Sequence, residues 1–187
     1  MRASVRRAQA LEEARHAARL PERGMRMARG GDERARGMKI GPGSLAQAPA
    51  AWRLSVAALP EAWSYPVFAE TIRRGAAFAV AEAQGRVVGY ALAEAVFDEL
   101  HLLQIVVAAS HRRQGIGAHL IRWLEGIPGM QRILLEARVS NTAAIRFYER
   151  MGFAPVGIRP RYYAPVRGRP AEDALVMEKR LAVREAA

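Results

Sequence analysis

Apolar and polar positions alternate along the chain in two rhythms, one helical and one of period two. Trp52, Val56 and Leu59 fall on one face of a helix over 48–59 that Pro60 ends. Pro66 opens a second short helix over 66–74, which uses Val67, Phe68 and Ile72. Residues 76–83 and 86–97 then read as strands joined by the Gln84-Gly85 turn. Residues 100–108 form a third strand, apolar on both faces and therefore expected at the centre of its sheet. A helix follows over 116–125, turning Ile116, Leu120, Trp123 and Leu124 inward. A strand over 132–139, a helix over 141–151 and strands over 154–159 and 174–181 complete the series. An antiparallel start followed by alternating strands and helices predicts an α/β domain, a mixed sheet with helices on both faces.

That rhythm is missing before Met38. Residues 1–37 are rich in Arg and Ala, with ten arginines against five acids, and their apolar residues are mostly Ala. A helix over 3–20 would bury little, so the segment reads as a disordered or loosely helical extension. The folded domain is expected over 38–187, with Met38 as an alternative start. The whole chain carries a formal charge of +11, a field able to attract nucleic acid, a ribosome or an anionic cofactor. With no cysteine, disulfides and thiolate metal sites are excluded, and no apolar run is long enough to span a bilayer. His101, His111 and His119 lack metal-ligand spacing, so no metal is expected.

The sharpest local feature is Arg112-Arg113-Gln114-Gly115-Ile116-Gly117-Ala118, between the buried strand and the amphipathic helix. Glycines let backbone N–H groups converge on a ligand, the helix start adds unpaired donors, and two arginines add charge. This is a seat for a diphosphate or a glycine turn with solvent-facing arginines. No Lys follows Gly117, which excludes a nucleotide P-loop, and Leu120 stands where a dinucleotide fingerprint needs a small residue. In the strand over 132–139, Ile133, Leu135, Ala137 and Val139 share one face, and Leu134, Glu136 and Arg138 the other. Glu136 is thus an acid in mid-strand, either catalytic or paired, with Arg138 the nearest cation. Asn141 suits a helix N-cap, Gly152 a C-terminal cap, and Tyr148 lies about two turns after Asn141 on the same helix side.

The run Leu135-Glu136-Ala137-Arg138-Val139-Ser140-Asn141-Thr142-Ala143-Ala144-Ile145, then Phe147-Tyr148-Glu149 and Met151-Gly152-Phe153, resembles the ribosomal-protein-alanine N-acetyltransferases, the RimI family of the GNAT superfamily. Trp63-Ser64 with Phe68, Asp98-Glu99 leading into Ile105-Val106-Val107, and Arg161-Tyr162-Tyr163 followed by Glu172-Asp173-Ala174 agree with it. The likeness covers roughly residues 60–178. Ala108-Ala109 replaces the family's usual Asp-Pro, and the link Gly126–Gln131 is short.

The resemblance implies the GNAT fold, acetyl-CoA as co-substrate, a cytoplasmic enzyme, and direct transfer with Glu136 as general base and Tyr148 as the acid that protonates the departing sulfur. It places Ile105, Val106 and Val107 along the pantetheine, with residues 112–118 on the diphosphate and Asn141 on the pantetheine portion. Trp63, Tyr162 and Tyr163 are candidates for the acceptor groove, the two tyrosines equally readable as a packed aromatic pair. Glu99 is a rival base. The implied acceptor is the N-terminal alanine of small-subunit ribosomal protein eighteen. Alternatives are another protein N-terminus, a lysine, a small-molecule amine, or a non-catalytic acyl-CoA-binding module. No specific nucleic-acid partner is expected. An α-amine with a pKa of about 7.7–8.0 is roughly a tenth to a sixth neutral at pH 7, against about four lysine amines in ten thousand, which favours the α-amine.

Overall fold

In the computed structural model, residues 37–165, 168 and 170–182 are described; the extension expected over 1–37 lies almost entirely outside them. Seven strands form one sheet in the order β1-β2-β3-β4-β5-β7-β6: β1 Met38–Pro42, β2 Ala77–Ala83, β3 Arg86–Val96, β4 Glu99–Val107, β5 Arg132–Arg138, β6 Ala154–Tyr163 and β7 Glu172–Arg180. Among the described residues four α-helices cover it: α1 Ala48–Ala58, α2 Tyr65–Arg73, α3 Ile116–Glu125 and α4 Thr142–Arg150. All neighbouring strands are antiparallel except β4 and β5. The expected mixed sheet with helices on both faces is the observed architecture.

Alternation decides which side chains reach which layer. One face gathers Leu100, Leu102, Ile133, Leu135 and Ala137 against Ile116, Leu120, Ile121 and Leu124 of α3 and Tyr148 of α4. The other holds Phe78, Val80, Tyr90, Leu92 and Val106 against Ala48 and Ala51 of α1 and Phe68 of α2. Gln84 and Gly85 take φ of 51° and 72°, the left-handed pair that suits a two-residue hairpin turn. Gly152, at φ 86°, closes α4 as expected.

The helices on the α1–α2 layer differ from expectation in their contact faces. Val56 and Val67 are about half exposed; α1 instead buries Ala48, Ala51 and Ser55, and α2 buries the expected Phe68 together with Ala69. Val139 falls past the end of β5 and is exposed. β1 was not anticipated, because its five residues include Gly41 and Pro42, which weaken a strand signal and suit an edge.

Candidate active site

β4 and β5 run side by side for only four pairs, Glu99 with Arg132 through Leu102 with Leu135. The parting has a local cause. Leu92 of β3 faces Gln104 while Ala93 faces Leu102, so Leu103 is an extra residue that bulges β4. A bulge bends and twists its strand, and this one lies just past the last β4–β5 pair. Beyond it β4 pairs only with β3, and Glu136, Ala137 and Arg138 pair only with β7. Ile105, Val106 and Val107 therefore present a strand edge to an open notch. Inside the bend, the buried Tyr90 hydroxyl donates to Gln104 Oε1 at 2.7 Å, so the polar side chain that the bulge turns inward is satisfied.

The glycine turn sits at the same end of β4. Arg113 and Gly115 take φ of 60° and 79°, and Gly115 is the N-cap of α3. No side chain caps that helix and no acid occupies its first turn. Its leading N–H groups and dipole are thus offset by no acid of its own first turn, Arg112 and Arg113 precede it in the chain, and Arg112 is steadied by donating to the Val107 carbonyl at 3.1 Å. A Cβ on Gly89 would come within 3.1 Å of the Val106 oxygen and 3.3 Å of Ile116, so α3 begins in close contact with β3 and β4. The open strand edge, which can pair with amide groups, leads to an uncapped basic helix start, which suits a diphosphate. That donor set fits coenzyme A.

Glu136 stands on β5, and Tyr148 of α4 packs with Leu135 and Ala137 on the other face of that strand. The Tyr163 hydroxyl donates to the Glu136 carbonyl at 3.1 Å, past the last β4–β5 pair. Burial pushes the Tyr148 hydroxyl above the usual phenol range, with a further push from the nearby Tyr163. Burial, aided by Tyr162, likewise moves Tyr163 up to about 12. Tyr148 is packed by Phe147 and Phe153, yet no buried side-chain oxygen lacks a partner among the described residues. Its hydroxyl has no side-chain hydrogen bond among those residues.

The partner of Glu136 is Arg159 of β6, at 3.2 Å, rather than the expected Arg138. Arg138 is held by Glu172 at 2.9 Å and by Glu61 of the α1–α2 loop at 2.5 Å, beneath the Tyr163 ring. Glu172 also accepts from the Ser140 N–H at 2.8 Å. Ser140 and then Arg138 pull its carboxyl from 4.5 down to about 2. A lowered carboxyl stabilises the fold above its ordinary value and loses that contribution as pH falls from about 4.5 towards about 2. Thermal melts of Glu172→Gln and the parent should therefore differ at pH 7, with the parent more stable, and converge as the pH drops through that window.

Of the residues anticipated from sequence, Ile105–Val107, residues 112–118, Glu136, Asn141, Tyr148 and Tyr163 gather around this end of the sheet. Asn141 caps α4, its Oδ1 accepting from the Ala144 N–H at 3.2 Å. Tyr162 is half exposed and meets Tyr163 edge-on at 5.1 Å, so the aromatic pair is also real. Trp63 packs into the α1–α2 layer, and its carbonyl accepts from Trp52 Nε1. Glu99 does not belong to the site. It begins β4 at the paired end, tied to Arg132 and His101, about 20 Å of strand from Ile105. The Leu103 bulge, Arg159 and the Glu61–Arg138–Glu172 cluster were not foreseen; only Gln104, a polar residue in an apolar strand, hinted at the first. Among the described residues no group of acids and histidines is placed to hold a metal, and no helix is long and apolar enough to cross a membrane.

Residues 46–153 match the acetyltransferase (GNAT) family. The chain is 37% identical over 134 residues to the [ribosomal protein bS18]-alanine N-acetyltransferase of Escherichia coli K12, covering 69% of this chain and 88% of that one. It is 36% identical over 137 residues to an N-alpha-acetyltransferase of Sulfurisphaera tokodaii, covering 64% and 79%. Among solved structures, the ribosomal-protein-S18-alanine N-acetyltransferase from Escherichia coli superposes with a TM-score of 0.71 at 29% identity, over 79% of this chain and 96% of that one.

Proposed function

The chain belongs to the GNAT family of acetyltransferases, and on that premise we propose that it acetylates the N-terminal α-amine of a protein, with the N-terminal alanine of ribosomal protein bS18 as acceptor. The observation that carries this reading is the parting of β4 and β5 beside Glu136. It leaves one opening between a diphosphate seat and a carboxylate.

Acetyl-CoA supplies the thioester. Residues 112–118 hold its diphosphate, the edge of Ile105–Val107 and Asn141 hold its pantetheine, and a β4 N–H polarises the carbonyl. Glu136 takes the proton that the acceptor ammonium must lose, through a water, and Tyr148 delivers a proton to the departing sulfur. Trp63, Tyr162 and Tyr163 border the acceptor side. The reaction takes place in the cytoplasm.

A second reading keeps the chemistry and widens the acceptor to other protein N-termini; the likeness to an N-alpha-acetyltransferase favours it. Peptides beginning with Ala and carrying an internal Lys, with the α-amine free or blocked, separate the possibilities. Mass spectrometry should find the label on the free α-amine and none on the blocked peptide. Label confined to Lys would overturn the proposal, and equal rates for many first residues would favour the wider one.

A further inference from the structure

Arg138 stands two residues after Glu136 on the same face of β5, about 7 Å along the strand, and three other parts of the chain meet on it. One guanidinium nitrogen pairs with Glu61 of the loop between α1 and α2 at 2.5 Å, and the other with Glu172 at the start of β7 at 2.9 Å. The Tyr163 ring, at the end of β6, has its centroid 4.1 Å from the guanidinium carbon. Glu172 in turn accepts from the Ser140 N–H, next to the cap of α4. The Tyr163 hydroxyl donates to the carbonyl of Glu136, the group assigned to receive the acceptor's proton.

The three partners depend on Arg138 to different degrees. Without it Glu172 keeps the Ser140 N–H, and Tyr163 keeps its bond to Glu136. Glu61 keeps nothing. Among the described residues its pair with Arg138 is the one ion pair that ties the 59–64 loop to a strand of the sheet. Trp63, two residues on, has its carbonyl held by Trp52 of α1. The loop is thus fixed to the helical layer at Trp63 and to the sheet at Glu61. Arg138 is 14% and Glu61 35% exposed, so water and salt screen the pair less than a fully solvated one. A guanidinium fork serves two carboxylates at once and lies flat against a ring, whereas an ammonium is a point charge that reproduces neither.

Resting on the reading that this side receives a protein N-terminus, we infer that Arg138 is a positioning residue: it clasps the α1–α2 loop to the sheet beside Glu136, and the acceptor binds against the clasped loop. The diphosphate seat and the β4 edge take no part in these contacts, so cofactor binding is spared. The test follows an Ala-initiated peptide with an internal Lys, using the full chain and its Arg138→Lys, Glu61→Gln and doubly substituted forms. Coenzyme A affinity shows that each form is folded. Glu61→Gln, in the loop, cuts the link without altering the sheet, so it reads the clasp even where Arg138→Lys loses the fold. Each single variant should raise the acceptor KM by about fivefold, with kcat and coenzyme A affinity within about twofold of the parent. Both cut one link, so the double variant should be no worse than the poorer single one. A lower melting temperature with a parental KM would reduce the clasp to a stabilising contact and overturn the inference. So would losses that multiply in the double variant, or a fall in kcat from Glu61→Gln that Arg138→Lys lacks, which would give Glu61 a direct part in the reaction. Label on Lys and none on the α-amine with the parent enzyme would remove the acceptor reading, and this inference with it.

Discussion

Tyr148→Phe should lower kcat by about 10²–10³-fold while coenzyme A binds within about twofold of the parent, because general acid catalysis contributes roughly that much. The side chain is buried between Phe147 and Phe153, so loss of one oxygen preserves the ring packing on which α4 depends. The hydroxyl has no hydrogen bond among the described residues, so no neighbour is left unsatisfied by its removal. Burial holds its pKa above the usual phenol range. The acid form therefore persists through neutral and moderately alkaline pH, and the kcat profile should show no alkaline fall from this group below pH of about 10. Stopped thiol-release assays and calorimetric titration with coenzyme A, side by side, measure both halves. A loss of cofactor binding matching the loss of rate would make Tyr148 a packing residue.

Glu136→Gln should cost about tenfold in kcat/KM for the acceptor at pH 7, since an amide has the shape of the carboxylate and cannot take the proton, which leaves only the roughly tenth to sixth of α-amine already neutral. The change also strands Arg159, whose described carboxylate partner is Glu136. Residual activity then depends on the amine that is already neutral. It should climb close to tenfold per pH unit up to the α-amine's own pKa of about 7.7–8.0 and then level off. Initial rates from pH 6 to 9.5 on an Ala-initiated peptide read this directly. A variant with parental rates at pH 7 would show that the proton leaves by another route.

Period-two and helical spacing located most elements, because burial on one face imposes them directly. The exceptions have specific causes. Pro160 and the left-handed Arg161, at φ 53°, break the pattern in β6, which nevertheless continues to Tyr163 because Asp173 Oδ1 accepts the Arg161 N–H at 2.7 Å. Val56 and Val67 were placed inward by spacing, but α1 approaches the sheet through Ala48, Ala51 and Ser55. Hydrophobicity alone does not register that preference for small residues. Within the site, the glycine turn and the strand, cap and tyrosine series were legible because each lies in a short continuous run. The partners of Glu136 were not. Arg138 shares its strand face two residues on, about 7 Å along the backbone, whereas the observed partner comes from β6 across β7. The Leu103 bulge is a matter of register between β3 and β4, and Gln104 alone hints at it in the sequence.

Anchoring of the cofactor at the start of α3 underlies every step assigned to Glu136 and Tyr148, and calorimetric titration of coenzyme A tests it most directly. Arg113 is exposed and makes no side-chain hydrogen bond among the described residues, so Arg113→Glu reverses a charge there without disturbing the core. Binding should weaken by about tenfold at low salt, the gap narrowing as salt rises, while Tyr148→Phe binds as the parent does. Equal affinity for parent and Arg113→Glu at every salt concentration would place the diphosphate elsewhere and contradict the account.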